Sequence, residues 1–219
     1  MNYKQKLQEM IAQLKSNPNV EILEVKINEG IDEQILQNLL KDYQKKHQTN
    51  FPQSFIDLYK QMNGFKLVWK PKKEKLVEID GEQENWNLPE CYTEFLALQN
   101  VLIDTKDEVC WEDEETELKM AFQFYIDYEE EMQGTWFLGT DKKSGLYYID
   151  NQGEDVREIK LDFEHFFELY LASKGFFCWQ EAILPEIETL QDTVFEAFHA
   201  WMPALFEDFK PELFKRPKK

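Results

Sequence analysis

Basic residues are what this sequence lacks most. Its 219 residues hold 25 Lys and Arg against 43 Asp and Glu, for a net charge of −18 and a pI near 4.6. A surface that grips phosphates needs surplus Lys and Arg, so direct nucleic-acid binding is excluded and an anionic membrane surface is disfavoured. Cysteine is scarce too. Cys91, Cys110 and Cys178 form no CxxC pair and leave one thiol over in any disulfide scheme, which points to a reducing compartment. The three histidines, His47, His165 and His199, lie far apart, so no closely spaced ligand set for zinc exists. No apolar run approaches the ~18 residues of a membrane span. The stretch Met1 to Leu7 opens an amphipathic pattern instead of a signal peptide's apolar core. The expectation is a cytoplasmic protein that uses neither metal nor cofactor.

Aromatic residues are abundant: 17 Phe, 9 Tyr and 6 Trp make up 15% of the chain. A chain of this length and composition folds, burying roughly 70% of its unfolded surface. Its charge is unevenly placed. Between Glu74 and Glu131 stand 19 acids and three bases, a net of −16, and everything outside that segment nets −2. Two runs stand out, Glu112-Asp113-Glu114-Glu115-Thr116-Glu117 and Asp127 with Glu129-Glu130-Glu131. One-signed charge of this density is not favoured by folding, and it steers association with an oppositely charged partner. The neighbouring Trp111, Phe124, Tyr125 and Tyr128 supply the aromatic anchors that interfaces use. The candidate partner-binding residues are therefore Trp111, Glu112, Asp113, Glu114, Glu115, Asp127, Tyr128, Glu129, Glu130 and Glu131.

Periodicity supplies the elements. Tyr3, Leu7, Met10, Ile11 and Leu14 recur at helical spacing until Ser16-Asn17-Pro18-Asn19. Val20 to Ile27 reads as a strand whose alternation slips by one residue, the sign of a bulge or of burial on both faces. Ile31, Ile35, Leu36, Leu39, Leu40 and Tyr43 predict a second helix. Phe55, Ile56, Tyr59 and Met62, between Pro52 and Asn63-Gly64, predict a third. Phe65 to Trp69 and Leu76 to Ile79 read as a hairpin, and Phe95 to Ile103 as a short helix leading into a strand. Ala121 to Ile126, Thr135 to Thr140, Leu146 to Asp150 and Val156 to Leu161 read as a meander. Asp162 caps an apolar helix that Gly175 stops, and further helices follow.

Three of these pieces, in this order and spacing, resemble the SUKH superfamily, the Smi/Knr-type domain. They are Phe51-Pro52-Gln53-Ser54-Phe55-Ile56-Asp57-Leu58-Tyr59-Lys60-Gln61-Met62-Asn63-Gly64, the hairpin from Trp136 to Asp141 and Gly145 to Asp150, and the closing helix from Phe163 to Leu171. The resemblance covers about residues 31–175. It implies an α+β fold with a central, largely antiparallel β-sheet flanked by helices over residues 1–175. Residues 176–219 form a helical C-terminal extension packed on that domain. The sequence departs from the pattern in the long acidic stretch Lys70 to Leu118 and in its tail. Bacterial members are mostly immunity proteins that neutralise polymorphic toxins, often nucleases or deaminases, and fungal members are regulators and scaffolds. Neither role implies a catalytic centre.

The residues agree with a non-enzyme. The acidic run around Asp113 lacks the glycine and spacing of a calcium loop. Gly139-Thr140-Asp141-Lys142-Lys143-Ser144-Gly145 lacks the Gly-Lys-Ser/Thr ending of a phosphate loop and lies between two strands. No local signature of a Cys–His nucleophile pair is present. The leading expectation is an immunity protein that blocks a basic toxin domain, possessing an acidic surface that stands in for nucleic acid. The alternative is a Smi/Knr-like scaffold or regulator that makes contact through the aromatic-rich C-terminal helices.

Overall fold

The computed structural model describes residues 1–47, 51–72, 76–79, 82–85, 90–102, 121–126, 135–139, 145–149, 156–177, 179–184 and 192–216. The fold is α+β. A seven-stranded antiparallel sheet has the order β1-β2-β5-β6-β7-β8-β9, and a separate hairpin pairs β3 with β4. The strands are β1 Val20–Ile27, β2 Phe65–Pro71, β3 Leu76–Ile79, β4 Glu82–Asn85, β5 Cys91–Phe95, β6 Ala121–Ile126, β7 Thr135–Gly139, β8 Gly145–Ile149 and β9 Val156–Ile159. The helices are α1 Tyr3–Ser16, α2 Glu33–His47, α3 Gln53–Gln61, α4 Leu98–Val101, α5 Phe163–Ser173 and α6 Asp192–Leu205.

Three of the helix ends have a clear local cause. The Asn2 side chain accepts from the Gln5 backbone N–H at the start of α1, and Asp162 accepts from the His165 N–H at the start of α5. Helix α3 ends where Gly64 takes φ +78, turning the chain into β2. All five residues of the α1 stripe are buried. Helices α1, α3 and α5 cover one face of the sheet, and their aromatics interlock with those of β2, β5 and β6. Phe65 stacks on Phe95 at 4.6 Å between ring centroids, and Phe124 meets Phe163 at 5.4 Å and Phe166 at 5.7 Å. Stacked and edge-to-face pairs of this kind contribute about 0.5–1.5 kcal/mol each beyond their buried area.

The C-terminal residues belong to the same core. Phe198, Trp201, Met202, Leu205, Phe206 and Phe214 are all buried in one cluster with Trp69, Phe176 and Trp179. Two successive left-handed residues, Lys174 at φ 57 and Gly175 at φ 63, turn the chain out of α5 toward this layer. Two contacts anchor the turn, and a third ties the end of α1 to the end of α6. The buried indole of Trp69 donates to the Lys174 carbonyl at 2.9 Å, the Lys174 ammonium donates to Gln13 Oε1 at 2.6 Å, and Asn17 donates to the Leu205 carbonyl at 2.8 Å.

Four expectations are corrected. Strand β2 does not form a hairpin with β3: it lies between β1 and β5, and β3 pairs with β4. Strand β5 occupies Cys91 to Phe95, where Phe95 had been given to a helix, and its inward residues include the fully buried Thr93. Alternation in β6 breaks at a bulge between Gln123 and Tyr125. Phe124 and Tyr125 are therefore both buried in the core, and neither is available to a partner. On α2, Leu36 and Leu40 are buried, while Ile35 and Leu39 are 57% and 39% exposed. A helix at the rim of the layer buries a narrower stripe than its apolar residues would allow.

Candidate functional site

All ten candidate partner-binding residues, Trp111 to Glu115 and Asp127 to Glu131 with Tyr128, lie outside the described residues. The chain on either side of them is placed. It leaves α4 at Leu102, whose carbonyl accepts from the Tyr43 hydroxyl, and enters β6 at Ala121. It leaves β6 at Ile126 and enters β7 at Thr135, the residue paired with Ile126. The two acidic runs thus attach to opposite ends of one central strand. At about 3.4 Å per residue, those ends are roughly 17 Å apart.

The neighbouring sheet surface is described in detail. On the face of the sheet away from the helices, β1, β2 and β5 present a connected polar array. The Lys66 ammonium pairs with Glu24 Oε2 at 3.0 Å and lies 4.9 Å from the centroid of the Tyr92 ring. The Tyr92 hydroxyl donates to Glu94 Oε2 at 2.7 Å. Register explains the array: Lys66 faces Lys26 on one side and Glu94 on the other, and Tyr92 faces Val68. Neighbours on three strands hold these side chains, and Tyr92 is itself buried among them, so the array ties β1, β2 and β5 together. The alternation Phe65, Leu67, Trp69 against Lys66, Val68, Lys70 carried the signal for this face, but the missed strand β5 concealed its other half.

Groups that could support chemistry are placed otherwise. Cys91 is fully buried on the helix-side face, and burial pushes its thiol up to about 12, away from the thiolate that a nucleophile or metal ligand needs. Cys110 and Cys178 lie outside the described residues. His165 is exposed in the first turn of α5. His199 sits among the rings of Phe195, Phe198 and Phe209, with centroids 4.4 to 6.4 Å away, and its Nε2 is buried without a hydrogen-bond partner. Burial, then the nearby Arg216, lowers its pKa. Among the described residues no cluster of three or more His, Cys, Asp or Glu is arranged to hold a metal ion, and no helix is long and apolar enough to cross a membrane.

One charged pair that the sequence did not signal joins the sheet to the C-terminal layer. Arg157 on β9 donates twice to Glu181, from Nη2 to Oε1 at 2.9 Å and from Nη1 to Oε2 at 3.2 Å. Its guanidinium lies 4.5 Å from the centroid of the Tyr148 ring, and the Glu181 carbonyl accepts from Arg216 Nε at 3.2 Å. This is a structural clamp, since both side chains are nearly closed off from solvent. No protein-family model matches the chain, and no curated protein matches it.

Proposed function

We propose that this chain is a non-catalytic, cytoplasmic immunity protein of the SUKH (Smi/Knr) type, which binds a basic toxin domain through its acidic middle segment. One observation carries the reading. The net −16 of residues 74–131 belongs to a segment that supplies β5 and β6, two central strands of the sheet. Charge concentrated there costs folding stability through self-repulsion, and a basic partner relieves that cost on binding. The density of carboxylates in the two runs fits a basic toxin domain such as a nuclease, whose phosphate-binding cleft they would occupy.

For the scaffold alternative, Phe198, Phe206 and Phe214 are buried in the core, and the C-terminal residues left to meet a partner include the half-buried Phe195 and Phe209 and the exposed Leu213.

The test uses tagged full-length protein and a variant in which Glu112, Asp113, Glu114, Glu115, Asp127, Glu129, Glu130 and Glu131 are changed to the matching amides. Both are used to capture partners from lysate of the source cells at low and high salt. The expected result is a basic protein, stoichiometric at low salt, lost from the variant, toxic when expressed alone in a bacterial host and harmless when co-expressed with this chain. Equal protection by the amide variant would overturn the surface assignment. A salt-insensitive regulatory partner bound equally by both would overturn the immunity reading.

A further inference from the structure

Among the described residues strand β1 is the longest of the sheet and forms one of its two edges, pairing there with β2 alone. Its outer side is open, because Glu21, Leu23, Glu24, Val25 and Lys26 are all exposed. Two of these, Leu23 at 40% and Val25 at 36%, are among the few large apolar side chains left exposed among the described residues. Such an edge is a template for a further strand unless it is blunted.

The residue order of β1 is complementary to itself. The sequence Val20-Glu21-Ile22-Leu23-Glu24-Val25-Lys26-Ile27, laid antiparallel to a second copy about a twofold axis between Leu23 and Glu24, sets Val20 against Ile27, Ile22 against Val25 and Glu21 against Lys26. The two faces of the strand also agree. Pairing with β2 puts Val20, Ile22, Val25 and Ile27 in register with Pro71, Trp69, Leu67 and Phe65, on the helix side, and Glu21 and Lys26 in register with Lys70 and Lys66, on the other. The bulge makes this match work. In a regular strand Ile22 and Val25, three residues apart, would point to opposite faces, and the antiparallel partner could not meet both; the bulge at Leu23 returns them to one face. At the axis Leu23 of each copy stands against Glu24 of the other, whose carboxylate is already paired with Lys66.

We infer that β1 is a self-pairing edge, and that two copies of this chain associate through it into one continuous antiparallel sheet of twofold symmetry. Charged residues and bulges are also the means by which edges avoid pairing. Protective charges, however, need no matched order. Here one acid and one base stand at the two positions that meet across the axis, and neither Glu21 nor Lys26 forms a salt bridge among the described residues. The isologous geometry counts every pair twice. An interface of one eight-residue ladder lies at the low end of stable interface areas, so Kd is expected on the order of 10–100 μM. The inference is independent of the immunity reading, because β2 and β5 separate β1 from β6, to whose ends the acidic runs attach.

Sedimentation equilibrium on the full chain over a concentration series tests it. Wild type is expected to move toward twice the 26.4 kDa chain mass. Glu21→Lys alone and Lys26→Glu alone each replace both symmetry-related attractions with repulsions and should weaken dimerisation about tenfold. An equimolar mixture of the two single variants, and the double variant Glu21→Lys/Lys26→Glu, should each restore it to within about threefold, because every facing pair is then again opposite in sign. Circular dichroism establishes that the variants are folded. A wild-type chain that stays monomeric to about 1 mM overturns the inference. So does a dimer indifferent to both reversals, and so does a failure of the mixture to restore association.

Discussion

Replacing Glu181 by alanine removes the carboxylate that faces Arg157 and leaves a guanidinium whose side chain is only 7% exposed. Stripping one partner from a buried pair typically costs about 3–5 kcal/mol, because the remaining charge stays largely desolvated after losing its counter-ion. The lower end applies here, since Arg157 keeps the face of Tyr148 at 4.5 Å. A contact of that kind holds back about 0.5–2 kcal/mol. For a chain of this length about 3 kcal/mol corresponds to a fall in Tm of roughly 6–12 °C. The double variant Arg157→Met/Glu181→Leu removes both charges and keeps most of the volume. It should recover to within about 1 kcal/mol of wild type, since apolar pairs commonly match buried ion pairs in stability. Urea unfolding followed by tryptophan fluorescence reads both values, and an unchanged m-value shows that the same surface unfolds in each protein. The reasoning is refuted if Glu181→Ala costs less than about 1 kcal/mol, or if the double variant is destabilised by the sum of the single changes.

Three further outcomes are expected. A chain ending at Ala182 loses the buried side chains of Phe198, Trp201, Met202, Leu205, Phe206 and Phe214. At about 1.5–3 kcal/mol each this meets or exceeds the whole stability of a typical domain, so circular dichroism should show no cooperative melt. Gly64→Ala places a methyl group against the Phe95 carbonyl at φ +78 and should lower stability by at least about 2 kcal/mol in urea titration, with a cost below about 0.5 kcal/mol refuting the strain argument. For His199 the folded state holds the imidazole neutral, so the unfolded chain takes up the proton more readily and stability falls as pH drops through about 6.5. Acid unfolding of His199→Leu should accordingly have a shallower onset than that of wild type, and parallel curves would show that this group does not contribute.

How much of the fold is legible in one sequence depends on how local its causes are. Helix α1 was readable residue by residue, because its buried stripe Tyr3, Leu7, Met10, Ile11 and Leu14 repeats at the helical period. The same holds for α5, whose start is set by a capping aspartate three residues from the N–H it accepts. The bulge in β1 was legible as a slipped alternation, since a side-chain period of two records any inserted residue. The role of Gly64 followed from the Asn-Gly ending of its helix.

What failed were the partnerships. That β2 pairs with β5 and not β3, that Phe124 turns inward beside Tyr125, and that Ile35 and Leu39 stay exposed each depend on which element arrives from elsewhere in the chain. The Arg157–Glu181 clamp joins residues 24 positions apart, and the Lys174–Gln13 contact joins residues 161 apart. Neither leaves a trace in local composition. The sequence by itself determined the α+β class, the identity of most elements and the location of the charge, because propensity, periodicity and charge are properties of short windows. Only the tertiary structure decided strand order, the two ends of β6 from which the acidic runs depart, and the open edge at β1, because each requires distant segments to be packed against one another.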